Sequence, residues 1–375
     1  GGREALAAAV QNGADAVYMG FGSFNARRSA RNFSDEEFLA AVRYCHLRGV
    51  KVYLTLNTLV TDRELPALAE TARRASEYGV DAILVQDWGV YETLRAVIPD
   101  VPLHASTQMA LHTLSGVEEA ARLGMTRAVL ARELSLEEIK YITQNSPIET
   151  EIFVHGALCF CHSGQCYMSS LIGRRSGNRG MCAQPCRMQY SLGGRMDDYP
   201  MSLKDNCLVD RLREIEDAGV ACIKIEGRMK SAYYAAVVTN AYRHALDAAI
   251  AGKPLDKLWV DETDMVSHRP YTTGFYFGQP GQHYAEASYQ TAADVAAVVE
   301  SCESDGTAVL TQRNKFSRGD ELELLSPSAP PVRFTAEHVF NAEDEEIEDT
   351  RHAMMEIHMR LPAYAPKYSI LRKRR

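Results

Sequence analysis

The stretch "YGVDAILVQDWGVYETLRAV", Tyr78 to Val97, reads as one complete βα unit. Gly79 stands where a helix must end in a left-handed residue, "DAILVQ" is a short apolar run of the kind buried on both faces of a parallel sheet, and Asp87 is placed to cap the next helix. The same phrase recurs as "GVKV" at Gly49 and "GVAC" at Gly219. Working outward, the strand candidates are 15–20, 51–57, 81–86, 101–106, 127–131, 149–156 and 221–227, separated by helical patterns such as Asp35–Arg48, after a Ser34 cap, and Leu65–Tyr78. Repeated βα units imply a parallel sheet. The expected fold is α/β, a TIM-like (β/α)8 barrel, with an open doubly wound sheet as the alternative. Seven strands are one too few for that barrel. Because the chain opens on "GGREALAAAVQNGA", a Gly-rich turn feeding a helix, the first strand is expected to be absent from this chain, leaving a gap or a substitute element.

A barrel takes about 250 residues, so 375 residues leave room for a second, smaller unit. The expected division is a barrel over 1–251 with a Cys/Arg-rich insertion at about 156–200, a linker over 252–291, and a small β-barrel domain over 292–375, where short strands follow one another. The acidic "AEDEEIED" at 342–349 is expected as a solvated loop and the terminal "RKRR" as a frayed basic end. No apolar run approaches the roughly 20 residues that span a bilayer, and no cationic signal region opens the chain. A cytoplasmic protein is expected. There thiols stay reduced, so nine cysteines argue for metal or redox chemistry over disulfides.

Polar residues gather at the predicted strand ends: Asn57, Gln86, His104, Ser106, His155, Glu226 and Arg228. Those ends form the catalytic face of a TIM barrel. His155 and Glu226 are the candidate catalytic residues, with helix capping as the bland alternative; for Asp87 capping is the expected role. Five of the nine cysteines lie in "ALCFCHSGQCYMSSLIGRRSGNRGMCAQPCR", 157–187. Cys159, Cys166, Cys182 and Cys186 are soft ligands for zinc or an iron–sulfur cluster, and their spacing does not choose between the two. Cys161 is a spare thiol or alternate ligand, Cys222 a further substitute, and Cys45, Cys207 and Cys302 are expected as small buried hydrophobes. From 152 to 196 there is no Asp or Glu, yet Arg174, Arg175, Arg179, Arg187 and Arg195 occur, in a chain of net charge -8. Excluding acids while concentrating guanidinium forks suits an anionic partner. Arg174, Arg175, Arg179 and Arg228 are the candidate substrate-binding residues.

"EIFVHGALCFCHSGQCYMSS" resembles the signature of the U32 peptidase family, and the resemblance extends through "NGADAVYMG", "ARELSLEEIK", "NRGMCAQPCR", "SLKDNCLVD" and "IKIEGRMKSAYYAAVVTNAYRHALD". "SHRPYTTGFYFG" and "NKFSRGDELELLSP" are similar to the C-terminal region of its tRNA hydroxylation protein P branch. The resemblance implies a TIM-like barrel, an iron–sulfur cluster, 4Fe-4S in kind, on Cys159, Cys166, Cys182 and Cys186, and prephenate-dependent conversion of the tRNA wobble uridine to 5-hydroxyuridine. Two departures stand out: the family's opening strand is missing save for its Gly, and Cys161 replaces a small polar residue. The family name also carries a peptidase reading, to which His155–Cys159 or Cys161–His162 could be recruited. A non-catalytic cluster-bearing scaffold is the third class.

Overall fold

The computed structural model describes residues 2–27 and 33–375, without the side chains of Leu192, Arg195, Met196 and Asp197. Each predicted strand is present. β1 (Ala16–Met19), β2 (Lys51–Leu56), β3 (Ala82–Val85), β4 (Leu103–Ala105), β5 (Arg127–Val129) and β6 (Glu149–Ala157) pair in sequence order, all parallel. Helices α1 (Arg3–Gln11), α2 (Asp35–His46), α3 (Leu65–Glu77), α4 (Trp88–Val97), α5 (Leu114–Arg122) and α6 (Leu136–Asn145) alternate with them. Local chemistry sets the boundaries. Ser34 and Glu37 form a reciprocal capping box, and the Asp87 carboxylate accepts from the Val90 amide. Gly49, Gly79 and Gly219 all have positive φ, as helix-ending glycines do.

β6 is a branch point. Beyond β5 it pairs in parallel with β10 (Cys222–Ile225) and, at its C-terminal end, antiparallel with β9 (Asp205–Cys207). Between them the chain runs through α7 (Met168–Gly173), a hairpin of β7 (Tyr190–Leu192) and β8 (Arg195–Asp198), and α8 (Leu212–Asp217). Among the described residues no ladder joins β10 to β1. The Tyr18 hydroxyl instead donates to the Ile225 carbonyl at 3.2 Å, bridging the two strands where the expected extra strand would lie. The barrel is TIM-like but open at this seam. α9 (Ala232–Ile250), largely buried, packs on α1 beside it.

The segment expected as a linker takes part in the fold: α10 (Lys257–Thr263) packs on α9, and β11 (Tyr271–Thr272) joins β9. The second unit is a curled six-stranded antiparallel sheet, in the order β15 (Val332–Thr335), β14 (Glu321–Leu325), β17 (Ile370–Arg374), β12 (Ala293–Cys302), β13 (Thr307–Gln312), β16 (Glu356–Arg360). The expected frayed basic end is overturned here. "RKRR" runs through β17, an interior strand, and Arg372 is fully buried. Its guanidinium holds Glu262 of α10 at 2.6 Å and Glu323 of β14 at 2.7 Å, so it fastens one unit to the other.

Two imidazoles are enclosed in the first unit. Burial, reinforced by the Arg127 charge, lowers His104 to about 4, and burial, reinforced by His268 and Lys230, lowers His155 to about 3. Both have ordinary values near 6.5 once unfolded, so between about 4 and 6.5 the unfolded chain binds more protons and stability falls as pH drops through that window. Urea unfolding near pH 5 is expected to give a stability lower than near pH 7 by about 1–2 kcal/mol per histidine, and His104→Asn should shrink that loss. Equal stability at the two pH values would contradict it.

Candidate functional site

The C-terminal strand ends carry a compact ionic centre around Glu226, which follows β10. Arg27, in the turn after β1, reaches Glu226 at 3.4 Å. Arg228 donates to Thr55 at 3.2 Å and to Asn25 at 2.7 Å, while its backbone amide meets the Glu226 carboxylate at 3.3 Å. Burial alone would raise the Glu226 carboxyl, but Arg27, Arg132 and Arg228 outweigh it and hold the group below the ordinary carboxylate range. Glu226 therefore stays ionised. Arg132, just past β5, lies 3.9 Å over the Phe153 ring and donates to the Ala157 carbonyl, while its Nε has no partner. Burial, with the Glu226 charge adding to it, pushes the Tyr18 phenol up, so it stays neutral beside this centre while donating to the Ile225 carbonyl.

The thiol segment rises from the end of β6 beside this centre. Arg27 feels Glu226 most strongly, and Cys182 and Cys159 lie close enough to add to that effect. Burial pushes the Cys186 thiol up, with Cys159, Cys182 and Cys166 contributing; burial also pushes Cys161 up to about 11, helped by Cys166, Cys159 and Cys186. Five sulfurs thus share one region although 27 positions separate the first from the last. No three of them come within 4.8 Å of one another. Cys222 lies elsewhere: it opens β10, at the end away from the site, and burial beside Glu151 pushes it up to about 12. Cys45 is fully buried in the core.

Packing holds the segment in place. Arg187 donates to the Leu203 carbonyl at 2.5 Å and the Leu158 carbonyl at 2.9 Å, clamping both ends of the segment. A side chain at Gly164 would meet the Gln108 carbonyl at 2.6 Å, so only glycine lets the loop lie on the turn after β4.

The other arginines divide. Arg179 is neutralised by Glu64 at 2.6 Å. Arg174 and Arg175 are exposed on the thiol segment, Arg175 donating to the Met181 carbonyl. Phe160, Tyr167, Leu171 and Ile172 of the same segment, and Met188 just past it, are exposed as well. His155 is not among them. Only 1% exposed, it sits among the rings of Tyr234, Tyr242 and Tyr271, with Nδ1 3.3 Å from the Tyr242 hydroxyl, and its link to Glu226 is through backbone, the Glu226 amide donating to the His155 carbonyl. Sequence reasoning missed Tyr18, Arg27 and Arg132. The signal was available for Arg132 alone, which follows a predicted strand as the other site residues do.

A TIM-like α/β fold whose strand ends join clustered thiols to an arginine-held carboxylate defines a thiol-bearing barrel protein. Residues 1–286 match the family model for Peptidase family U32 and residues 291–372 that for the Peptidase family U32 C-terminal domain, so the chain belongs to the U32 family. It is 33% identical over 392 aligned positions to tRNA hydroxylation protein P1 of Bacillus subtilis, covering 100% of this chain and 93% of that one. It is 39% identical to the 23S rRNA 5-hydroxycytidine C2501 synthase of Escherichia coli, over 73% of this chain and 44% of that larger protein. It is 33% identical to a protein of Porphyromonas gingivalis named collagenase, over 74% of this chain and 72% of that one.

Gly156 fixes the distance between β6 and Glu226. With φ +108 and an added Cβ only 2.6 Å from the Glu226 carbonyl, Gly156→Ala must push Glu226 aside. The expected cost is about 1–3 kcal/mol in urea unfolding. Full retention of stability would show that the two strands part freely.

Proposed function

We propose that this protein is an RNA-modification enzyme that converts the wobble uridine of tRNA to 5-hydroxyuridine, with prephenate as a small anionic co-substrate. The observation that carries the reading is the placement of the thiol segment against Arg27, itself paired to Glu226, at the strand ends of the barrel. The names of the Bacillus subtilis and Escherichia coli relatives, both RNA hydroxylation proteins, support it.

Each part has a task in this reading. Cys159, Cys166, Cys182 and Cys186 would hold an iron–sulfur cluster, 4Fe-4S in kind, which supplies one-electron redox chemistry when bound. Arg27, Arg132 and Arg228 offer guanidinium forks for the carboxylates of prephenate, with Glu226 holding the Arg27 fork in place. Exposed Arg174 and Arg175 meet tRNA phosphates, and Phe160 and Tyr167 stack on unpaired bases of the anticodon loop. The acidic balance of the whole chain confines binding to this local patch.

The name of the Porphyromonas gingivalis relative favours a peptidase. Two observations speak against that chemistry. A cysteine nucleophile needs a depressed pKa beside an accessible imidazole, whereas Cys161 is pushed up to about 11 and His155 is enclosed and lowered to about 3.

Two variants of the anaerobically prepared protein separate the parts. Cys166→Ser replaces a soft ligand by a hydroxyl that ionises poorly, so iron content and tRNA hydroxylation should both be lost while tRNA still binds. Arg174→Gln removes one exposed guanidinium, so iron should remain while tRNA affinity falls several-fold and the salt slope drops by about one. Full hydroxylation by an iron-free Cys166→Ser protein would end the reading.

A further inference from the structure

A second group of ligating side chains lies at the rim of the barrel, outside the thiol set. His112 follows β4, Glu133 follows β5, and His162 lies in the thiol segment between Cys161 and Cys166. One ligand atom from each comes within 4.8 Å of the others. His112 Nε2 is 3.4 Å from one oxygen of Glu133, and His162 Nδ1 is 3.3 Å from the other. Both separations are longer than the roughly 2.7–3.2 Å of an N–H···O hydrogen bond. They match instead the edge of about 3.0–3.4 Å between two atoms that each lie about 2.1 Å from a shared metal ion.

The orientation of His112 agrees. Its Nδ1 is 2.7 Å from the Ala110 carbonyl. A carbonyl oxygen only accepts, so Nδ1 carries the hydrogen and Nε2 is the ring atom turned to Glu133. Metal-binding histidines are commonly held in this way, the far ring nitrogen donating to a carbonyl or carboxylate. Ala110 has φ 54, a left-handed conformation costly for any residue but glycine, and the turn that contains it presents that carbonyl to His112.

We propose that His112, Glu133 and His162 bind one divalent first-row transition ion, with three protein ligands and the remaining positions open to water or an anion. Two imidazoles and one carboxylate suit such an ion, not calcium or magnesium, which prefer oxygen. The His162 side chain is 60% exposed, so the open positions face solvent beside the thiol segment. The ion ties that segment to the ends of two barrel strands, adding a metal link to the Gly164 contact and the Arg187 clamp. This site stands independently of the RNA-modification reading.

The test uses the full chain and Co2+. Cobalt held by nitrogen and oxygen shows visible ligand-field absorption without the near-ultraviolet charge-transfer band that thiolates give, so the two kinds of site are read separately in one sample. After desalting, the unsubstituted protein is expected to retain one more Co2+ than His162→Ala or Glu133→Gln, the difference appearing only in the band that lacks sulfur character. Co2+ affinity at that site should fall by about 10–100-fold in each variant. His162 is exposed, so His162→Ala should keep its fold, checked by circular dichroism and by metal-free unfolding. Equal Co2+ retention in all three proteins, or a difference confined to the thiolate band, would overturn the proposal.

Discussion

A carboxylate buried inside the barrel, Glu151, organises its open end. Its side chain, 3% exposed, holds Lys224 of β10 at 2.6 Å and Arg127 of β5 at 3.1 Å, and Arg127 reaches on to Glu149 at 2.6 Å. Burial by itself would raise the Glu151 carboxyl, but the Lys224 and Arg127 charges reverse the sign and keep it ionised. Removing one partner of such a pair leaves an uncompensated charge in low dielectric, at a cost of about 3–5 kcal/mol. Neighbouring strands of a closed barrel are also held by a continuous ladder. Here, among the described residues, the ladder stops at the seam between β10 and β1, so the β6 ladder with its ionic pair on one side and the Tyr18 bridge on the other fix the place of β10. The position of β10 then fixes Glu226, which stands at its end.

The same division of labour runs up to the functional face. The interior charges set strand positions, and the strand ends bring Arg27, Arg132 and Arg228 close enough for their charges to act on one carboxylate. Thiols alone would define a place for a metal group and arginines alone a place for an anion. In the proposed function, their adjacency at Arg27 is what would let an anionic substrate lie beside a redox centre. The second sheet is joined to the first unit through Arg372, which holds both Glu262 and Glu323.

Much of the barrel was legible because its signals are local. A C′ glycine, an apolar run and an N-cap mark each βα unit, and Gly79, Ala82–Val85 and Asp87 form the unit that the sequence implies. β17 was hidden for the opposite reason. A strand reading "ILRKR" buries an arginine only because Glu262 and Glu323, far away in the chain, supply the opposite charge. The clustering of the thiols was legible from the sequence, but arginine density says nothing about direction. Arg179 turned to Glu64, Arg187 became a clamp on backbone carbonyls, and Arg174 and Arg175 remained exposed. Tyr18, Arg27 and Arg132 come together with Glu226 from separate βα units, an arrangement that exists only once the sheet is wound. His112, Glu133 and His162 assemble the same way.

The most direct test of the account is the nucleoside content of tRNA from a host lacking its own wobble-uridine hydroxylation and expressing this chain. Mass spectrometry of the digested tRNA should show 5-hydroxyuridine restored, and the restoration should disappear when the cell cannot make prephenate. Unmodified uridine in a host that accumulates the folded, iron-loaded protein with prephenate present would contradict the account.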